Sequence, residues 1–173
     1  MRAGWSIGGH GCAARRGINT RRFLAAAGMS SNEERRGWNE QIIDEFRSNA
    51  GSVVQFGGKT LLLLHHTGAT SGTAYVSPLA AFPQDGGGWA IVASNAGRDM
   101  HPAWFHNLRK HPETEVEVPG EDDVRTVQVT ARVPGDAERD RLFAEVVAKA
   151  PNFAEYQKST SRRIPVVVLE PAA

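Results

Sequence analysis

The chain has 173 residues, 40% of them apolar and 23% charged, with a single cysteine, Cys12. Those values predict one domain with an adequate core and exclude a wholly disordered chain, an internal disulfide framework and, since no apolar run nears ~18 residues, a helical membrane span. The net charge of +1 hides an asymmetry: five arginines and no acid fall within residues 1–28, leaving 15 basic against 19 acidic residues in the remainder. An acidic body lacks the clustered basic face of a nucleic-acid-binding domain. The lone cysteine fits a reducing compartment, and a cytoplasmic location is expected.

Residues 1–28 are rich in Gly, Ala and Arg and show no sustained period. Thr20-Arg21-Arg22-Phe23-Leu24 has the look of a twin-arginine export signal, but the apolar part is only Ala25 to Met29. An export signal needs ~7–15 apolar residues, so export is not expected. Two readings stay open for residues 1–36: a disordered basic arm, or codons upstream of a true start at Met29, the second being favoured. The folded domain is expected over residues 37–171.

A helix is predicted from Gly37 to Asn49, with Trp38, Ile42 and Phe46 on its buried side. Four leucines, Leu61 to Leu64, end at a turn and read as a strand buried on both faces. The loop Thr67 to Gly72 follows; its small residues let a backbone approach a ligand, and its amides can cradle an anion. Tyr75 to Phe82 is a strand whose Pro78 suggests an edge or a bulge. Pro83 to Gly88 turns the chain into a returning strand, Trp89 to Ser94.

His101-Pro102 starts a helix, with proline at its first position and Trp104, Phe105 and Leu108 inward. Two half-buried strands come next: Val116 and Val118 point in with Glu115 and Glu117 out, then Val127, Val129, Ala131 and Val133 alternate with polar residues. Asp136 caps a helix bearing Leu142, Phe143, Val146 and Val147 on one side. A short segment, Phe153 to Lys158, precedes a last buried strand from Ile164 to Leu169. Hairpins joined in this order predict an antiparallel α+β domain, a small partly closed barrel with helices packed outside.

No metal site is expected, because His65 and His66 face opposite ways on a strand and His101, His106 and His111 scatter around a helix. Gly68-Ala69-Thr70-Ser71-Gly72 places serine one position too late for a nucleophile elbow, and no G-K-[ST] triplet is present. A cofactor cleft remains, built from the Gly/Ser/Thr loop, the end of the Trp89 strand and the tryptophan helix.

Five motifs then occur in order: T-G-x-x-S-G (Thr67, Gly68, Ser71, Gly72), V-x-P-L (Val76, Pro78, Leu79), V-A-S-x-x-G (Val92, Ala93, Ser94, Gly97), P-x-W-x-x-N-L (Pro102, Trp104, Asn107, Leu108) and I-P-V-x-x-L-E-P (Ile164 to Pro171). Together they resemble the deazaflavin-dependent nitroreductase family of actinobacteria, from about Trp38 to Pro171. The resemblance implies the split β-barrel (FMN-binding-like) fold and coenzyme F420, whose phosphate and oligoglutamate tail are anionic. It implies that the backbone of Gly68, Ala69, Thr70, Ser71 and Gly72, with Tyr75, faces that phosphate. Ala93, Ser94 and Asn95 would border the deazaflavin ring, and Trp104 and Asn107 would wall the pocket. Ala80, Phe153 and Tyr156 would meet the substrate, with Tyr156 polarising or protonating it.

The implied activity is hydride transfer to an electron-poor small molecule: a quinone, enone or nitroaromatic compound. An FMN-dependent reductase and a non-catalytic carrier are the two rivals. A homodimer and peripheral contact of the basic arm with the inner membrane face are left open. The chain departs from the family where Ala69, Thr70, Tyr75 and Asn95 stand in place of frequent cations, each worth roughly 1.5–3 kcal/mol of charge-assisted bonding. Lys59 and Arg98 are the nearest bases in sequence to replace them.

Overall fold

A computed structural model describes residues 32–57 and 60–173; the basic arm before Asn32 and the expected replacement base Lys59 lie outside the described residues. The first helix, α1 (Asn32–Ser48), begins five residues before the expected Gly37. Residues 32–36 therefore belong to the helix and not to the arm. Glu33 and Glu34 sit in its first turn, against the positive end of the helix dipole, and Arg35 donates to the Asn32 side chain. The ~1 kcal/mol penalty of an interior glycine at Gly37 does not offset those terms. A short 3-10 turn, Val54–Phe56, leads into the sheet.

Seven strands follow: β1 (Leu61–Thr67), β2 (Ala74–Ala80), β3 (Phe82–Pro83), β4 (Trp89–Val92), β5 (Glu113–Pro119), β6 (Val124–Arg132) and β7 (Val166–Pro171). They form one antiparallel sheet in the order β2-β1-β5-β6-β7-β4-β3. The two end strands, β2 and β3, are consecutive in the chain and separated only by Ala81. That single-residue link brings the edges together and curls the sheet into a split β-barrel. The expected strand Tyr75 to Phe82 is thus two strands. Pro78 sits in β2, an edge strand, where no ladder donor is missed.

The leucine strand is buried on both faces as expected, and the last strand, expected over Ile164 to Leu169 and found as β7, is buried on both faces as well. Leu62 and Leu64 enter the inner core with Ile91, Val116, Val129 and Leu169, while Leu61 and Leu63 pack outward against Ile42 and Phe46 of α1. Likewise Val167 and Leu169 of β7 face inward and Val166 and Val168 face the other way. That second face is covered by α3 (Asp136–Lys149) and α4 (Asn152–Lys158), through Leu142, Val146 and Phe153. Helix α2 (Ala103–Lys110) puts Trp104, Phe105 and Leu108 into the inner core.

Four local expectations are corrected. Pro102 precedes α2 in extended conformation and does not occupy its first turn. Gly135 is the cap of α3, with Asp136 already helical. Val133 falls beyond β6 and is exposed. Glu117 is buried: Arg47 of α1 forms a two-pronged ion pair with it, and His65 Nε2 lies 2.7 Å away. An acid in an alternating strand reads as solvent-facing, but here α1 covers that face and supplies the counter-charge. Among the described residues no helix is long and apolar enough to cross a membrane.

Candidate functional site

The loop between β1 and β2 is held from within and from the side. Its ends are closed by Gly68 N–H to Thr73 O (2.8 Å) and Gly72 N–H to Gly68 O (2.9 Å). Ala69 is pinned on both faces by α2: its N–H donates to Asn107 Oδ1 (2.8 Å), and Lys110 Nζ donates to its carbonyl (2.5 Å). Asn107 is buried, and its amide also donates to His66 Nδ1 at 2.8 Å. That bond places the histidine proton on Nε2, which donates to Ser77 Oγ (2.9 Å). Tyr75 stacks on the His66 ring at 5.5 Å. The amides of Thr70 and Ser71 have no protein acceptor among the described residues, so the loop presents two backbone donors.

His66 is 7% exposed, and burial, aided by neighbouring His65, pushes its pKa down to about 4. The neutral ring is thus built into the fold. The unfolded chain takes up a proton near pH 6.5 that the folded chain refuses until about pH 4. Stability from this group is full at pH 7 and is lost as pH falls through that window, by roughly 3 kcal/mol in all. Urea midpoints measured at pH 7, 5.5 and 4.5 should fall steadily, and His66→Gln should flatten the slope. A flat profile in the native chain would show that His66 titrates freely. Glu117, held below the ordinary carboxylate range by Arg47, adds a further loss at more acidic pH.

The second part of the site is the turn after β4. Asn95, Ala96 and Gly97 all have positive φ (46°, 54° and 78°). Such a run costs about 1–2 kcal/mol for each residue with a Cβ and persists only where the surroundings impose it. Here Arg162 imposes it. Its guanidinium donates to Ser94 O (2.8 Å), Ala93 O (3.1 Å) and Arg98 O (2.8 Å), and to His101 Nδ1 (2.9 Å). Asn95 Nδ2 closes the turn onto Met100 O (2.9 Å). The missing Cβ of Gly97 lets α4 rest on the turn, since a Cβ there would lie 2.9 Å from Ser159 Cβ and 3.2 Å from Tyr156 Cα.

Between this turn, α1, β2 and α4 lies a pocket of about 190 Å³. Its walls are largely apolar, including Trp38, Phe56, Pro78, Leu79, Val92 and Phe153. The side-chain hydroxyls lining it are those of Ser94 and Tyr156, and neither has a protein hydrogen-bond partner among the described residues. Tyr156 is fixed edge-on against Phe153 at 5.6 Å, and Trp38 tilts against Phe56 at 6.2 Å. Pro78 to Ala80 border the pocket and Ala74 adjoins the loop, which separates the two sites by about 14–20 Å along β2 at ~3.4 Å per residue. A ligand that fills both must be elongated and anionic at one end.

Of the residues expected at the site, Ala80, Ser94, Phe153 and Tyr156 meet in this pocket. Gly68 through Gly72 form the loop, with Tyr75 beside it. Ala93 is buried behind the strained turn, and Asn95 is a member of that turn. Trp104 lies in the inner core beside Phe105 and is not among the pocket-lining residues; Asn107 supports the loop and lines no part of the pocket. Sequence reasoning misses Trp38 and Phe56 at the pocket, His66 and Lys110 at the loop, and Arg162 at the strained turn. Trp38 was legible only as one of a buried helical triplet, and Arg162, next to Arg163, reads as a solvated surface base.

Fold and site together define a split-barrel protein with two free backbone donors at one end of β2 and a largely apolar pocket at the other. Residues 31–171 match the family model described as F420H(2)-dependent quinone reductase, and the chain belongs to that family. An F420H(2)-dependent quinone reductase of Mycobacterium tuberculosis, Rv1261c, is 38% identical over 116 residues, covering 65% of this chain and 74% of that protein. A solved structure titled F420-H2 dependent reductase (FDR-A) is 36% identical, with a TM-score of 0.53, over 64% of this chain and 93% of its own. Another, titled domain-swapped dimer, is 32% identical, with a TM-score of 0.57, over 81% of this chain and 100% of its own. The protein is an F420-dependent oxidoreductase, and its cofactor is coenzyme F420, the first of the two cofactors expected. The residues present fit that group: two unpaired loop amides suit its phosphate, and the strained turn sets Ser94 where its ring would lie, at one edge of the largely apolar pocket.

Proposed function

We propose that the chain reduces a quinone, the acceptor in the family's description. The observation that carries this reading is the pocket, where apolar walls meet the hydroxyls of Ser94 and Tyr156. Its volume of about 190 Å³ exceeds the ~150 Å³ cavity that holds a benzene ring, so it admits a flat ring of quinone size. Coenzyme F420, when reduced and bound, supplies a hydride to the acceptor. The strained turn holds Ser94 at the border of the ring site, and the apolar walls keep water out. Tyr156 Oη donates a hydrogen bond to the acceptor oxygen and passes it a proton as electrons arrive, giving a hydroquinone; solvent then restores the tyrosine proton. Enones and nitroaromatics carry an equivalent oxygen and are the secondary acceptors.

Tyr156→Phe keeps the packing on Phe153 and removes only the hydroxyl. It should lower kcat/KM for para-quinones by 10- to 100-fold while leaving F420 affinity unchanged. A change below twofold would take the proton role from Tyr156, and turnover confined to nitroaromatics would sink the quinone reading. A homodimer is part of the same proposal, on the strength of the relative solved as a domain-swapped dimer.

A further inference from the structure

The loop that is to receive a phosphate carries no charge of its own. No acidic or basic side chain occurs from Thr67 to Gln84, nor from Trp89 to Gly97. His66, directly beneath the loop, is held neutral by burial and by neighbouring His65, and it is bonded to Asn107 and Ser77. A phosphate followed by several glutamates needs cations from elsewhere in the fold. Among the described residues, the cationic group in hydrogen-bond contact with the loop is Lys110, whose ammonium donates to Ala69 O. An ammonium has three N–H groups, so two remain for a ligand beside the amides of Thr70 and Ser71. Arg109 precedes it in the last turn of α2, exposed and without an ion-pair partner among the described residues.

We infer that Lys110 supplies the charge that holds the phosphate of coenzyme F420 at the Gly68–Gly72 loop, with Arg109 serving the glutamate tail as it leaves along α2. Helix-dipole compensation alone would place cations at this helix end, but it would not direct the Lys110 ammonium onto the loop carbonyl. The inference rests on the family's cofactor and is independent of the acceptor. It also explains how the chain tolerates Ala69, Thr70, Tyr75 and Asn95, since a base from a different element replaces the cations absent at those positions.

The test is a fluorescence titration, with no turnover involved. Coenzyme F420 and the deazaflavin fragment lacking phosphate and glutamates are each titrated into the full chain at two salt concentrations. A charge-assisted bond at an exposed site is worth about tenfold in affinity. Lys110→Met should therefore weaken F420 by about 10-fold, leave the fragment unchanged and flatten the salt dependence, whereas Lys110→Arg should keep most of the affinity. Arg109→Met should weaken the long-tailed cofactor by about threefold and the tail-less phosphate form hardly at all. Unchanged F420 affinity in Lys110→Met would overturn the inference. So would an equal loss for cofactor and fragment, which would make Lys110 a support for the loop and not a ligand for the phosphate.

Discussion

Arg162→Ala should cost about 4 kcal/mol of stability and most of the activity. The side chain is the shared donor for Ala93 O, Ser94 O and Arg98 O, and it fixes His101. Burial lowers its pKa, yet a guanidinium stays charged at any working pH. Ala93 O and Ser94 O are part-buried, and each such acceptor left without a donor costs about 1–3 kcal/mol, whereas the exposed Arg98 O can turn to water. The strain of three successive positive-φ residues is released at the same time, so Ser94 leaves the pocket wall. Arg162→Lys should recover only part of the loss, because one point charge cannot reach three carbonyls in different directions. Urea denaturation measures the first effect and F420H2 oxidation the second. An alanine variant within about 0.5 kcal/mol of the native chain would show that the turn holds itself.

Gly97→Ala should cost about 3 kcal/mol. A Cβ at φ of +78° carries about 1–2 kcal/mol of backbone strain, and contacts at 2.9–3.2 Å with Ser159 and Tyr156 add overpacking of about 1–3 kcal/mol. Relief requires α4 to move off the turn, and α4 carries Phe153 and Tyr156. KM for the acceptor should therefore rise even where enough folded protein remains. Gly86→Ala is the control: nothing lies within 4 Å of its added methyl, and its φ is ordinary. Equal stabilities for the two variants would contradict the close packing of α4 on the turn.

Much of this architecture could be read from apolar spacing alone. Leu61 to Leu64 announced a strand buried on both faces, and Pro78 announced an edge. What spacing does not carry is which face a later element covers. Glu117 reads as solvent-facing until α1 brings Arg47 to it, and Trp38 reads as core until the pocket forms beside it. The one-residue break at Ala81 was also silent, because a strand that changes edge looks like one long strand. Site residues showed the same division. Local motifs marked the loop and Ser94, and the family resemblance marked Tyr156, while Lys110 and Arg162 act on loops 41 and up to 69 residues away in the chain. No local pattern encodes such a reach.

Quinone reduction is tested most directly by the oxidation of reduced coenzyme F420 by a para-naphthoquinone, followed through the return of deazaflavin absorbance. The full chain should make this return rapid and saturable in both cofactor and quinone, and Tyr156→Phe should slow it. A chain that binds the reduced cofactor yet leaves it unoxidised by every quinone would contradict the proposed function.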